Sequence, residues 1–296
     1  MNFSMHENHE KPLVSVVIPT YNRPEHLIRA CEAVLGQTYE PIEIVVVNDN
    51  SDADYSGVVA ELGARITYVE RSENGGGAAA RNTGIQVARG EYVAFLDDDD
   101  DWHPDKIALQ ISSMNRECQA SHCGYRLMSS FKTRVEPSTK ITKEDLRENN
   151  KLASTSGLIV HKSILINHQF DETLKRSQDW DIYIRIAMDT NFSYVRAPLY
   201  DYDDGDHERM TNKYLTMRVP DIDLRLGMLR KHREFLGEKY YSYHLATYTL
   251  PAIFKNRDRT AILKLTISEV GYLNTCKYLV FLALRRTKNM VLRKMS

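Results

Sequence analysis

Five consecutive aspartates, Asp97–Asp101, form the densest group of chemically reactive side chains in the sequence. They directly follow the apolar segment 91–96, EYVAFL. Neighbouring carboxylates raise one another's pKa and destabilise a fold unless a cation neutralises them. Carboxylate oxygens are suitable ligands for Mg²⁺ or Mn²⁺, and residues two apart in an extended segment point the same way. The pattern predicts a divalent-cation site formed by Asp97 and Asp99; the alternative is a solvated acidic turn.

Two other apolar segments end in polar and aromatic residues. Asp49 follows IEIVVV, and Thr20 and Tyr21 follow LVSVVI within PTYNRP. If the three segments are parallel strands, their carboxyl ends share one crevice, where open sheets bind ligands. An aromatic face, hydrogen-bonding groups and carboxylates suit a nucleotide, with the base on Tyr21, the base or ribose on Asp49 and the phosphates on the metal. The alternative for Asp49 is a side-chain turn that ends its strand.

The glycine-rich segment ENGGGAAARNTG allows two interpretations. Gly75, Gly77 and Ala80 match the G-x-G-x-x-A pattern of dinucleotide sites, and Asp97 follows about 20 residues later. However, the residues RSEN at 71–74 lie between the preceding strand and these glycines, and a ribose needs one acid rather than five. We therefore favour a flexible loop that admits a ligand and opens a helix whose Arg81 faces the site.

The first half of the chain alternates between two kinds of segment. Strands are predicted at 13–18, 42–47, 66–69 and 91–96, and helices at 23–37, 52–63 and 76–88. Such alternation predicts an α/β fold, with a mostly parallel, Rossmann-like sheet and helices on both faces. The same pattern places the residues discussed above at one edge of the sheet.

The second half is less regular. We predict a helix over 104–116, strands within 121–129 and 155–163, an amphipathic helix over 179–190, and helices from about 212 onward. The predicted organisation is a polar tail at 1–12, an α/β domain at 13–210 and a helical C-terminal extension at 211–296.

The totals exclude some classes of protein. The 296 residues carry a net charge of −1, which gives no general attraction to nucleic acid. The sequence has no run of about 18 apolar residues, and its first residues, MNFSMHENHEKP, lack an apolar signal core. The expectation is therefore a cytoplasmic protein. The tail KYLVFLALRRTKNMVLRK is apolar and basic, so it is predicted either to lie on the inner face of the cell membrane or to pack as a helix with a solvated face.

The ordered segments SVVIPTYNRPEHLIRACEAVLGQTYEPIEIVVVNDNS and NGGGAAARNTGIQVARGEYVAFLDDDDDWHPDK resemble glycosyltransferase family 2, over roughly residues 13–210. The resemblance implies the GT-A fold and a nucleotide-sugar donor. By this resemblance the nucleoside would be held by Pro19, Thr20, Tyr21 and Asp49. Asp97, Asp98 and Asp99 would fall on the D-x-D segment of the family, with Asp99 as the direct metal ligand. Arg81 and Asp98 are expected to contact the substrate as well.

The resemblance also implies a base. Asp179 in RSQDWDIYIRIA aligns with the residue that deprotonates the acceptor hydroxyl, with Gln178 in place of the usual glutamate; the alternative is that Asp179 caps the helix. His207 lies where related enzymes carry a metal-binding histidine. Asn48 replaces a frequent second acid. The processive motif Q-x-x-R-W is absent, which favours addition of a single sugar.

These features lead to one expectation and three alternatives. The expectation is an inverting, Mn²⁺- or Mg²⁺-dependent transferase that moves a sugar, from UDP-sugar, to a glycan or lipid-linked acceptor in bacterial surface polysaccharide synthesis. The alternatives are a nucleotidyltransferase, a dinucleotide oxidoreductase and a catalytically inactive sugar-nucleotide-binding protein.

Overall fold

The computed structural model describes residues 11–205, 219–253 and 258–282. These residues form two units. The first contains 11–172 and 182–205, and the second contains 173–181 with the described residues beyond 218.

The first unit is built on one sheet. Within residues 11–205 its strands are β1 (Val14–Thr20), β2 (Ile42–Asn48), β3 (Ile66–Glu70), β4 (Tyr92–Phe95), β5 (Asp101–Trp102), β6 (Ala120–Leu127), β7 (Thr133–Arg134), β8 (Lys140–Ile141), β9 (Ile159–His161) and β10 (Phe192–Tyr202). Their order is β3-β2-β1-β4-β9-β6-β10-β5, with β7 beside β6 and β8 beside β10. The long strands pair in parallel, β2–β3, β1–β2, β1–β4 and β6–β10, whereas β5, β7, β8 and β9 pair antiparallel.

Helices cover both faces of this sheet. The α-helices within residues 11–205 are α1 (Pro24–Leu35), α2 (Ser56–Leu62), α3 (Gly77–Val87), α4 (Lys106–Ser113), α5 (Lys143–Glu148), α6 (Lys162–Asn167) and α7 (Gln178–Asp189). Side chains alternate along β1, so that Val16 and Ile18 join the core beneath α1, whereas Val17 lies against Gly84 of α3. Burial on both faces explains why β1 reads as a continuous apolar run.

The register of the parallel strands aligns their carboxyl ends. Thr20 of β1 pairs with Asn48 of β2, and Asn48 pairs with Glu70 of β3. Leu96 follows β4 and donates its backbone N–H to the Val17 carbonyl at 3.1 Å. The residues after each strand therefore meet at one edge. The predicted α/β class, with a mostly parallel sheet and C-terminal helices, is confirmed.

The described part of the second unit is helical. It contains the first turn of α7, then α8 (Val219–Lys231), α9 (Arg233–Ile253), α10 (Arg259–Val270) and a further helical segment, 272–282. Gly237, with φ of 67°, interrupts the helical backbone near the start of α9. In the ranges that the structure describes, every helix is too short or too polar to cross a membrane.

Candidate active site

A cavity of about 320 Å³ opens at the carboxyl ends of β1, β2 and β4. Its wall contains Pro19, Thr20, Tyr21, Arg23, Asp49, Asn74, Gly76, Gly77, Ala80, Arg81, Asp97, Asp98 and Asp99. Eight residues that the sequence predicted to bind substrate or metal are in this set, although they come from four separate segments. Parallel register brings them together because each segment immediately follows a strand or begins the helix after one.

The Asp49 side chain joins the end of β2 to the glycine-rich loop through hydrogen bonds. Its carboxylate, 3% exposed, accepts hydrogen bonds from Arg71 Nη1 at 2.7 Å and from the backbone N–H groups of Gly75 and Gly76 at 3.1 and 2.6 Å. A carboxylate can accept about four hydrogen bonds. Among the described residues, one acceptor position on Oδ2 is therefore left for a ligand.

The local turn considered for Asp49 is formed by its neighbour. Asn48 Oδ1 accepts a hydrogen bond from Ser51 N at 3.1 Å, and Asn48 Nδ2 donates to Tyr68 Oη at 2.8 Å. The amide therefore ends β2, and the Asp49 side chain turns toward the glycine loop. Because Asn48 makes both hydrogen bonds, a neutral residue at position 48 stabilises the end of β2.

The acidic segment is a turn rather than the extended segment we predicted. The backbone N–H of Asp100 donates to the Asp97 carbonyl at 3.0 Å, which closes the turn directly after β4. Asp98 and Asp100 are each 1% exposed, whereas the side chains of Asp97 and Asp99 are 28% and 17% exposed. Asp97 and Asp99 are thus the more accessible carboxylates despite the different backbone geometry.

Arginines neutralise the acidic turn. Arg23 Nη2 lies 2.9 Å from Asp98 Oδ1, and Arg23 Nη1 lies 3.0 Å from Asp99 Oδ2. Arg81 forms an ion pair with Asp97. We expected Arg81 at the site but missed Arg23, whose position in PTYNRP, two residues after Tyr21, was the available signal.

Burial controls the protonation of the inward carboxyls. It raises the pKa of Asp98 to about 7, with smaller contributions from the charges of Asp99 and Asp97, while Arg23 and a 2.7 Å hydrogen bond from Thr20 oppose the shift. Burial, and then the charges of Asp97 and Asp99, also raise the pKa of Asp100 well above its usual value. The turn therefore carries less negative charge than five aspartates suggest.

A segment of three hydroxyl residues, 154–156, forms hydrogen bonds with the acidic turn. Ser156 Oγ accepts a hydrogen bond from Asp97 N at 3.1 Å, and Ser154 Oγ donates to Asp97 Oδ2 at 3.3 Å and to Asp100 Oδ2 at 3.4 Å. Trp102 Nε1 donates to the Ser156 carbonyl at 2.9 Å. These residues were missed because they are more than fifty positions from the aspartates, and serines in a loop carry little signal.

The donor set fits a divalent cation that is shared with a substrate. Magnesium sites commonly use one or two carboxylates together with substrate phosphates and water. Asp97 and Asp99 offer two such carboxylates on the cavity wall. Within the described ranges, no group of three or more His, Cys, Asp or Glu side chains is arranged as a metal cage. His207 lies outside the described residues.

The predicted base, Asp179, lies in the second unit. It is the second residue of α7, inside the first turn, rather than the capping residue that precedes it. Burial raises the pKa of Tyr248 on α9 to about 12, with a smaller contribution from the charge of Asp179, and Arg225 on α8 opposes the shift. Asp179 is therefore electrostatically coupled to Tyr248 of the C-terminal extension.

The fold and the cavity define an α/β protein with a polar, acidic site at the carboxyl ends of its parallel strands. The chain belongs to glycosyl transferase family 2, whose sequence model matches residues 15–198. The protein is therefore a glycosyltransferase, as the sequence predicted. Neither the dinucleotide oxidoreductase nor the nucleotidyltransferase alternative is supported.

Three relatives illustrate the family. An uncharacterized glycosyltransferase of Rickettsia prowazekii is 33% identical over 246 residues, which is 77% of this chain and 74% of the relative. A Bacillus subtilis glycosyltransferase named for teichuronic acid biosynthesis is 39% identical over 40% of this chain and 49% of its own length. An Escherichia coli glycosyl transferase named for colanic acid biosynthesis is 29% identical over 60% of this chain and 67% of its own length.

Solved structures share the fold. S. aureus TarS in complex with UDP-GlcNAc matches with a TM-score of 0.62 and 18% identity, over 90% of this chain and 79% of that one. The mannosyltransferase PcManGT from Pyrobaculum calidifontis, in complex with GDP-Man and Mn²⁺, matches with a TM-score of 0.63 and 19% identity, over 93% of this chain and 81% of that one. The predicted GT-A fold is therefore confirmed.

Proposed function

We propose that the protein is an inverting, divalent-metal-dependent transferase that moves a sugar from a UDP-sugar to a hydroxyl of a glycan or lipid-linked glycan. The observation that carries this proposal is the cavity in which Tyr21, Asp49 and the acidic turn meet. Tyr21 and Asp49 suit a nucleoside, whereas the carboxylates of Asp97 and Asp99 suit a metal bound to a diphosphate.

The nucleoside end of the cavity would use four residues. Tyr21 is 43% exposed, so its ring can stack on a base. Asp49 has acceptor capacity for a base N–H or a ribose hydroxyl. Pro19 and Thr20 form the adjacent wall, and Thr20 also holds Asp98 by hydrogen bond. Uracil fits this assignment because its N3–H can donate to the Asp49 carboxylate, and the complex of the TarS neighbour with UDP-GlcNAc supports UDP as the nucleotide.

The diphosphate end would use charge. A cation held by Asp97 and Asp99 would act as a Lewis acid that stabilises the departing diphosphate. Arg23 and Arg81 line the same cavity, and their guanidinium groups can donate charge-assisted hydrogen bonds to phosphate oxygens. Asp98, paired with Arg23, would hold that guanidinium beside the substrate.

The transfer step would use Asp179 as general base. Its carboxylate takes the proton from the acceptor hydroxyl while the acceptor oxygen bonds to the anomeric carbon and the bond from that carbon to the diphosphate breaks. The acceptor attacks from the face opposite the leaving group, so the configuration inverts in one displacement. The products are the glycosylated acceptor and UDP.

The expected biological setting is surface polysaccharide synthesis. Relatives named for teichuronic and colanic acid biosynthesis support this setting. The helical segment 272–282 exposes Leu273 and Val280, by 83% and 60%, and continues into the basic tail, whose residues 283–296 lie outside the described part of the chain. We propose that this segment contacts an anionic membrane surface, where a lipid-linked acceptor would be available.

A sugar-nucleotide-binding protein without transferase activity is the second candidate, because Gln178 replaces the family glutamate. The test is release of nucleoside diphosphate from UDP-, GDP-, CDP- and dTDP-sugars, with Mn²⁺ and with a chelator. We expect slow, metal-dependent hydrolysis of UDP-sugars that Asp99→Ala abolishes. Asp179→Asn should remove transfer to acceptor but leave donor binding intact.

The controls separate these outcomes. Asp105→Ala removes an exposed aspartate that bonds Thr38 at 2.8 Å outside the cavity, so it should leave hydrolysis unchanged. If the wild-type protein binds a UDP-sugar but neither hydrolyses it nor transfers the sugar when extracts that contain acceptor glycans are added, the binding-protein candidate would be favoured. Metal-independent hydrolysis would contradict the roles given to Asp97 and Asp99.

A further inference from the structure

A buried ion cluster lies two residues after the proposed base. Asp181 is 0% exposed, and its Oδ1 lies 2.7 Å from Lys231 Nζ and 2.8 Å from His232 Nε2. The Lys231 side chain is 33% exposed and that of His232 is 9% exposed. Lys231 ends α8, and His232 lies between α8 and α9. All three residues belong to the second unit.

This cluster fixes the first turn of α7. A buried carboxylate is costly unless it is paired, and removing one partner leaves an uncompensated charge. The adjacent Trp180, 2% exposed, packs edge-on against His244 of α9 with ring centroids 4.8 Å apart. On the other side, Gln178 Nε2 donates to the Leu174 carbonyl at 2.6 Å. The backbone of Asp179 is therefore held from both directions.

The same helices set the surroundings of Asp179. Burial, and then the charge of Asp179, raise the pKa of Tyr248 on α9, and Arg225 on α8 opposes that shift. A shift of the α7 turn relative to the junction of α8 and α9 would move the Asp179 carboxylate away from Tyr248. Misplacement of a catalytic group by about 1 Å can cost about 100-fold in rate.

We propose that His232 and Lys231 are positioning residues for sugar transfer, which act through Asp181 to hold Asp179 in place. The inference rests on the proposed function of Asp179 as the base. It assigns a role in the reaction to the helical C-terminal extension.

The test compares His232→Leu with His232→Gln in the full chain. The leucine variant removes one of the groups that bind the Asp181 carboxylate, so kcat for transfer should fall between about 10- and 100-fold while KM and Kd for the sugar donor stay unchanged. The glutamine variant keeps a side-chain N–H donor and should retain most of the activity. Lys231→Met, at a partly exposed position, should lower kcat in the same direction if the leucine variant folds poorly.

The matched control is His168→Leu. His168 Nε2 pairs with Asp189 Oδ2 at 2.7 Å near the opposite end of α7, so this variant removes a similar ion pair without touching the first turn. We expect unchanged kcat. In an Asp179→Asn background, His232→Leu should cause no further loss, because the group that it positions is already gone.

Any of three results would overturn this inference while leaving the base role of Asp179 intact. The first is an unchanged kcat in both His232→Leu and Lys231→Met, and the second is an equal loss of kcat when His232→Leu is added to Asp179→Asn. The third is a loss of kcat that is fully accounted for by a smaller fraction of folded protein. Transfer by Asp179→Asn at the wild-type rate would instead contradict the base role itself and would remove the basis of the inference.

Discussion

The ionisation of His122 is coupled to the fold beside the acidic turn. It is 1% exposed, and Nε2 lies 3.1 Å from the carbonyl of Ser154, the residue that bonds Asp97 and Asp100. Burial lowers its pKa from 6.5 to about 4. The native protein therefore keeps His122 neutral in a pH range where the unfolded chain would protonate it.

The sign of the resulting pH dependence follows from proton binding. Between pH 6.5 and 4 the unfolded state binds more protons at this position, so the free energy of unfolding falls as the pH falls. The loss from this one group is on the order of 3 kcal/mol between pH 7 and pH 4. His122→Gln should flatten that part of the stability profile, as measured by urea denaturation. Parallel profiles for wild type and His122→Gln would contradict the assignment.

At the scale of residues, the sequence identified those that directly follow apolar strands. Asp49, Asp97 and Asp99 could be found because a charged residue directly after a buried segment is unfavourable unless it has a structural or binding role. Arg23 and Arg71 could not be assigned, since their partners, Asp99 and Asp49, are 76 and 22 positions away and meet them only in the fold. The roles of all these residues in binding remain predictions.

Among the elements, α3 packs closely against β1 and carries a residue of the site. A Cβ atom added to Gly84 would lie 2.2 Å from Val17 Cγ1 and 2.9 Å from Val17 Cγ2. Val17 is fully buried in the central strand and cannot move aside. Three residues earlier on the same helix is Arg81, which lines the cavity.

Gly84→Ala should therefore push α3 away from the sheet. We expect a destabilisation of about 1–3 kcal/mol, as for other overpacked cores, and weaker donor binding because Arg81 is displaced. Gly57→Ala on α2 is the matched control, since its added Cβ meets no atom within 4 Å; it should leave stability unchanged or slightly higher. Equal urea midpoints for the two variants would show that α3 does not need this close approach.

The strands and helices before Trp102 were predicted to within about two residues, because each buries a regular apolar pattern, except that α2 begins at Ser56 rather than at residue 52. The acidic turn was predicted wrongly as extended, since the turn depends on one backbone hydrogen bond that side-chain types do not reveal. β10 was missed altogether. Its eleven residues include Arg196 and Pro198, and its register with β6 shifts twice around Pro198, so no regular alternation was visible.

At the scale of the whole molecule, the helical extension has a proposed membrane-facing surface. Leu273 and Val280 are seven residues apart and therefore lie on one helical face, with Lys277 between them in sequence. In the same unit, Tyr243 contacts the rings of Tyr278 and Phe281, with centroids 6.1 and 6.4 Å apart. The segment is thus packed on one side and exposes apolar side chains elsewhere.

Cosedimentation with anionic vesicles measures this surface in the full chain. Leu273→Gln combined with Val280→Gln should weaken binding by about tenfold or more, because each aliphatic side chain loses on the order of 1 kcal/mol of burial. Ile166→Gln with Leu224→Gln, two exposed positions outside the segment, is the control. Equal pelleting of the double variant and wild type would contradict membrane contact through this face.

Chain order alone predicted the extension as a separate helical part from 211, and that boundary remains a prediction. It could not reveal that residues 173–181 group with these helices, because that grouping depends on contacts such as those of Asp181 with Lys231 and His232. These contacts join positions about fifty residues apart and leave no local pattern.

The most direct test of the account is calorimetric titration of UDP into the wild-type protein, with Mn²⁺ and with a chelator, beside Asp99→Ala. We predict that UDP binds in the presence of Mn²⁺, that chelation weakens binding by about tenfold or more, and that Asp99→Ala binds UDP weakly in both conditions. Equal UDP affinity with and without the metal, in wild type and variant alike, would contradict a cation at the acidic turn.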